Sequence, residues 1–248
     1  MTDAAMPLTA QASQFVASVL QHHPAIAVFD CDGTLWAGDA GEEFLRWALR
    51  RRLLPEAAAR WITRRYRDYK AGRVSEETIC GEMVTIHEGL DAAMLQREAD
   101  EFFAAEFAGA IFPEMRELVA QLHRSGCPVW AVSSTNEWVI RAAGRYFEFS
   151  AERVVAASVH CPGGVASGRL RRVPTDEDKA VAIRELIGSA VDAAFGNSIH
   201  DAAMLALAAH AYAVNPNPDL QQLAQQRGWN VYYPRGEASR PGEMPDAR

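Results

Sequence analysis

The stretch AVFDCDGTLW, residues 27–36, decides how the rest of the chain is read. A short apolar run stops at Asp30 and Asp32, two positions apart, and Gly-Thr follows. Like charges at the end of a buried segment oppose burial and each other, so the pattern points to a strand that delivers carboxylates to a site. Including AIAVFD (25–30) itself, four apolar runs end in small or polar residues and give way to helical periodicity; the others are PVWAVSS (128–134), VDAAFGNS (191–198) and HAYAVN (210–215). Runs buried on both faces and alternating with helices specify an α/β fold with a doubly wound parallel sheet. Ligands of such sheets collect beyond the carboxyl ends of the strands. Asp30 and Asp32 are therefore expected to converge with Ser133, Ser134 and Thr135, and with Asn197 and Asp201.

Between Asp39 and Phe112 only helical patterns occur: EEFLRWALRRRLL, EAAARWITRRYRDYK, SEETICGEMVTIHEGL and DAAMLQREADEFFAAEF. They predict a helical subdomain over 39–111, inserted into a core formed by 1–38 and 112–248. VVAASVHCPGGVASGRLRR (154–172) reads as a hairpin about Pro-Gly-Gly, and SRPGEMPDAR (239–248) as a frayed tail. At 248 residues and 49% apolar the chain can bury a full core. Its start reads as an amphipathic helix rather than a signal peptide, and no run reaches the length of a membrane span. Cys31, Cys80, Cys127 and Cys161 form no metal-ligand spacing and read as reduced thiols of a cytoplasmic protein.

Net charge is −7, yet Arg46 to Arg73 holds ten Arg or Lys against Glu56 and Asp68. Solvated helix faces account for this segment, with steering of an anionic substrate as the sharper alternative. No nucleic-acid-binding motif accompanies the charge.

A carboxylate can attack phosphorus and form an aspartyl-phosphate. Asp30, last in its strand, is the expected nucleophile, and Asp32 the acid and base that serves leaving group and water. Two carboxylates beside a phosphate call for a divalent cation, and an all-oxygen site suits Mg2+. Its expected ligands are the Asp30 carboxylate, the Asp32 carbonyl and a group from GNSIHD (196–201). Ser133 and Lys179, helped by Thr34, are the expected phosphate donors. Ser133 is preferred over Ser134 because it directly follows the apolar Ala-Val.

DCDGT at 30–34, the run ending in Ser133, Lys179 in TDEDKAVAIREL and FGNSIHDAAML at 195–205 resemble, in order, the four motifs of haloacid dehalogenase-like phosphohydrolases. The helical insert resembles the C1-type cap of their phosphoserine phosphatase-like branch, subfamily IB. The resemblance implies a Rossmannoid core and a Mg2+-dependent phosphomonoesterase acting on a small phosphorylated metabolite, with Asn197 and Asp201 beside Asp30 and Asp32 at the metal. Asn197 stands where most of the superfamily has aspartate, which lowers the expected Mg2+ affinity.

Phosphoserine phosphatases carry a glutamate seven residues past the second motif aspartate, gripping the substrate amino group; here it is Asp39. They also hold the substrate carboxylate with a cap arginine, and KAGRVSEETICGEM places Met83 there, with Arg73 and Arg97 as possible substitutes. Trp36 and Trp47, near Asp39, Glu42 and Glu43, offer aromatic faces for phosphocholine or phosphoethanolamine, against the plainer reading that they pack cap on core. A phosphotransferase or phosphomutase keeps the same motifs, and a non-catalytic relative would bind phospho-ligands. A dehalogenase has no need of Asp32. His200 reads as a solvated loop histidine, His87 as a surface residue, Cys31 as a small core residue, and Thr175 or Asp176 as the cap of the Lys179 helix.

Overall fold

The computed structural model describes residues 7–188 and 191–234. Helix α1 (Ala10–Leu20) buries Phe15, Val16 and Val19 and leads into β1 (Ala27–Phe29). Four helices follow, α2 (Ala40–Arg50), α3 (Glu56–Lys70), α4 (Glu76–Thr85) and α5 (Ala92–Phe102), the last continuing into a π turn at Phe103–Phe107. The chain then runs through α6 (Pro113–Arg124), β2 (Val129–Asn136), α7 (Glu137–Phe147), β3 (Val154–Val159) and β4 (Leu170–Arg172). It finishes with α8 (Glu177–Leu186), β5 (Val191–Gly196), α9 (Ala202–Leu205), β6 (Ala208–Val214), α10 (Pro218–Arg227) and β7 (Asn230–Tyr232).

The strands form one sheet in the order β4-β3-β2-β1-β5-β6-β7, parallel except for β4. β1 pairs with β2 on one side and β5 on the other, with Phe29 opposite both Ala131 and Phe195, so chain order reverses across it. That reversal opens the crevice in which the site lies. One apolar cluster covers one sheet face, including Phe29, Ala131, Met115 and Leu118; another, with Val28, Val132, Ala194 and Leu220, covers the opposite face.

Three of the four helices after β1 start at a side-chain cap: Asp39, Ser75 and Asp91 accept from the amides of Glu42, Thr78 and Met94 at the starts of α2, α4 and α5, whereas α3 starts after Pro55 without one. The chain leaves and re-enters side by side, Ala37 N donating to Ala110 O and Phe112 N to Leu35 O, each at 3.0 Å. Phe44, Val84, Leu95, Phe102, Phe103 and Phe107 from these helices join the same cluster as Phe29, while Leu45, Leu54, Ile62 and Ile79 form a small separate one.

β3 and β4 pair antiparallel about Pro162–Gly164, as the hairpin reading expects, and β3 also pairs in parallel with β2, which places it inside the sheet, buried at five of six positions. β7 was not anticipated; Tyr232 stacks on Phe15 at 3.7 Å, and its hydroxyl donates to Glu114 Oε1 at 3.0 Å. The 239–248 tail lies outside the described residues. His87 is buried against Phe44 and Trp138 rather than on the surface, and burial lowers its pKa to about 4. The basic segment is ion-paired on the outside: Arg46 with Glu42 and Glu43, Arg50 with Glu106, Arg51 with Glu98 and Glu101, Arg65 with Glu82 and Arg73 with Asp68. All four cysteines are free, and among the described residues no helix is long and apolar enough to cross a membrane.

Candidate active site

A cleft of about 520 Å³ opens at the carboxyl ends of β1, β2 and β5, roofed by Tyr66 and Tyr69 of α3 and Glu76, Ile79, Cys80 and Met83 of α4. Asp30 lies on its floor directly after β1, with its amide donating to Phe195 O at 2.8 Å. Its Oδ1 accepts from Lys179 Nζ at 2.7 Å and its Oδ2 from Thr34 Oγ1 at 3.0 Å. Burial, then the nearby Asp201, push the Asp30 carboxyl up to about 7, with Lys179 opposing.

Lys179, in the first turn of α8, is itself buried and also donates to Asp201 Oδ1 at 2.6 Å. Burial alone would lower its pKa, but the Asp201 and Asp30 carboxylates hold it well above the ordinary lysine range. Asp201 is fully enclosed and absent from the cleft lining; its Oδ2 accepts from the amides of Asn197 at 2.8 Å and Ser198 at 2.9 Å. Both of its oxygens are thus engaged in bracing Lys179 and the 197–201 turn, so Asp201, expected at the metal from the sequence, serves here as a support instead.

Asp32 is fixed from three directions. Its Oδ1 accepts from Trp36 Nε1 at 2.7 Å and the Ala40 amide at 2.6 Å, and its Oδ2 from Thr135 Oγ1 at 2.7 Å. Burial raises its pKa above the usual carboxylate value despite these donors.

Several expected residues sit differently from the sequence reading. Trp36 does not present a face to the cleft: it is fully buried, at right angles to Phe103, and acts on the site through its indole N–H. Trp47 also stays out, packed on Phe102 with its N–H on Glu98. The aromatic lining comes instead from Tyr66 and Tyr69, which the sequence reading missed. The Tyr66 hydroxyl is buried near the Glu42 carboxylate without meeting hydrogen-bond geometry, and Tyr69 Oη donates to Glu76 Oε2 at 3.3 Å.

Ser134, rather than the preferred Ser133, lines the cleft, with its Oγ on Glu76 Oε1 at 3.2 Å; Ser133 is enclosed and accepts from the Thr135 amide at 3.1 Å. Asp39 and Met83 do line it, whereas Arg73 and Arg97 do not. Asp39 is exposed at the mouth, and confinement followed by the charge of Asp32 hold its carboxyl above the usual range, an effect that open water weakens. Cys31 is a buried thiol whose pKa burial pushes up.

His200 is no free loop residue. Nε2 meets Glu76 Oε2 at 2.9 Å and Nδ1 meets Asp176 Oδ1 at 2.7 Å, and these bonds, Glu76's first, raise its pKa to about 9. Asp176 occupies the N-cap position of α8 at φ 49°, yet neither it nor Thr175 caps an α8 amide with its side chain.

The sequence over residues 27–206 matches the family described as haloacid dehalogenase-like hydrolase. The chain belongs to the haloacid dehalogenase-like hydrolases. It is 29% identical over 228 residues to a phosphoserine phosphatase of Mycobacterium tuberculosis, covering 84% of this chain and 70% of that protein. It is 22% identical over 219 residues to a histidinol-phosphatase of Neisseria meningitidis, covering 83% and 97%. A Bordetella pertussis structure of unknown function superposes with TM-score 0.74 at 22% identity, covering 84% of this chain and 97% of that one. A substrate-bound phosphoserine phosphatase superposes with TM-score 0.56 at 14% identity, covering 84% and 92%. These last two likenesses concern the fold.

The family implies a divalent cation, and the donors here suit one. Among the described residues no three His, Cys, Asp or Glu side chains are arranged to hold a metal. Asp30, Asp32 and Asn197 line the cleft together, and the Asp30 carboxylate with the Asp32 carbonyl and Asn197 amide oxygens would make a sparse all-oxygen set of the kind Mg2+ completes with water. The cradle is built for Asn197: a Cβ on Gly33, at φ +72°, would fall 2.0 Å from Asn197 Nδ2.

Proposed function

We propose that this hydrolase is a phosphomonoesterase that cleaves a small phosphorylated metabolite through an aspartyl-phosphate on Asp30. The observation that carries the reading is Asp30 on the cleft floor, held by Lys179 and Thr34, with Asp32 pinned two residues further on. The phosphatases among its relatives support it.

Asp30 attacks phosphorus; the P–O bond to the substrate breaks, and the leaving alkoxide takes its proton from Asp32. Asp32 then removes a proton from the water that attacks phosphorus; the P–O bond to Asp30 breaks, inorganic phosphate leaves, and both carboxyls are restored. Lys179, kept cationic by Asp30 and Asp201, and the Ser134 hydroxyl stabilise the phosphoryl oxygens, while Thr34, buried behind the cleft, holds the Asp30 carboxylate. Mg2+, held by Asp30, the Asp32 carbonyl and Asn197, would neutralise phosphate charge. The 39–111 helices form the cap that keeps bulk water from the cleft.

The test is hydrolysis of p-nitrophenyl phosphate with millimolar Mg2+. Asp30→Asn is expected to lower kcat at least about 1,000-fold; a variant as active as the parent defeats the proposal.

A further inference from the structure

We infer that the substrate's body, beyond its phosphate, carries an amine and no carboxylate. This rests on the phosphatase reading and concerns the same cleft. Four carboxylates line it, from Asp30, Asp32, Asp39 and Glu76, and the only cationic side chains among its described lining residues are Lys179 and His200. Neither cation is open to a new anion. Lys179 is buried between Asp30 and Asp201, and His200 is clasped by Glu76 and Asp176. A phosphate reaching Lys179 meets it from the Asp30 side, so a second anionic group further out would be stripped of water with nothing to pair with.

The arginines of α2 and α3 do not remedy this, because none of them lines the cleft. Asp39 is placed the other way. One oxygen, Oδ1, caps α2 by accepting from Glu42 N at 2.8 Å, and no lysine or arginine among the described residues lies within salt-bridge reach of the carboxylate. Lys70, paired with Glu42 at 3.3 Å, is near enough to temper the Asp39 charge but forms no pair with it, and an ammonium at the mouth would give Asp39 a direct partner.

Tyr66 and Tyr69, with Ile79 and Met83, roof the space between the mouth and the floor. Lys70 Nζ already stands 5.3 Å from the Tyr66 ring centroid and 5.9 Å from that of Tyr69, so these rings and the thioether are suited to the hydrocarbon or heteroaromatic part of an amine, with its charge left to Asp39. Amino-alcohol phosphates meet all three conditions.

The test measures kcat/KM with Mg2+ for phosphoethanolamine, histidinol phosphate, phosphoserine and glycerol 3-phosphate, with p-nitrophenyl phosphate as the reference. Phosphoethanolamine and phosphoserine differ by one carboxylate; glycerol 3-phosphate lacks the amine. The better amino-alcohol phosphate is expected to exceed both of the others at least tenfold, and a smaller margin over either overturns the inference. Asp39→Asn should shrink the preference for the amine over glycerol 3-phosphate at least fivefold, and Met83→Arg should raise phosphoserine relative to phosphoethanolamine at least tenfold. Unchanged ratios in both variants also overturn it. If the parent protein leaves even p-nitrophenyl phosphate intact, the phosphatase reading is what has failed. Calorimetric binding of phosphoethanolamine against phosphoserine then decides the charge preference separately, with tenfold tighter amine binding expected and equal binding overturning it.

Discussion

Asp32 Oδ1 takes two N–H donors, from Trp36 and Ala40, that cannot reverse their polarity. A proton on this carboxyl must therefore reside on Oδ2, whose partner, the Thr135 hydroxyl, can turn from donor to acceptor. Thr135→Val removes that adjustable partner and is expected to lower kcat about tenfold with little change in KM, read by steady-state kinetics across pH. Trp36→Phe should act in the same direction, because it leaves Oδ1 with one donor, and should also cost about 1–3 kcal/mol of stability, read by urea denaturation. A Trp36→Phe enzyme with unaltered kcat would refute the positioning role. The two aspartates were legible in the sequence because they share one strand end. For Trp36 the sequence left a ligand face and a packing role both open, and the packing role holds; the choice was not legible because the burial of its ring depends on Phe103 and Phe147, far along the chain. Ser134 was expected at the site but ranked behind Ser133, a one-residue choice that only the register of β2 decides.

His200 joins two elements: the short turn after β5, and α4 through Glu76. Its pKa is raised from 6.5 to about 9. The link is therefore present in full below pH 6.5 and is lost as pH rises through about 9. His200→Gln should lower the thermal midpoint below pH 6.5, by the equivalent of about 1 kcal/mol after allowing for partial exposure, and the gap should close near pH 10. A gap constant across that range would show that the imidazolium contributes nothing. At this scale the four helices after β1 were readable from their periodicity. β7 was not, since three residues carry no usable pattern and its place is set by Phe15 of α1, some two hundred positions earlier.

Across the whole molecule, the helices between β1 and α6 share one apolar cluster with the sheet, through Phe44, Phe102, Phe103 and Phe107. Phe103→Ala should cost about 3–5 kcal/mol, and tryptophan fluorescence and far-ultraviolet dichroism should still report one coincident transition. Separate transitions would mean that the helical part is held up by its own small cluster of Leu45, Leu54, Ile62 and Ile79. The parallel sheet was legible because β1, β2, β5 and β6 lie in continuous apolar runs. The outermost strands, β4 and β7, are three residues each, and β4 carries Arg171 and Arg172. A neighbouring chain seeking to lengthen the sheet would find a charged margin on one side and a short one on the other, so few backbone groups are left as a template for aggregation.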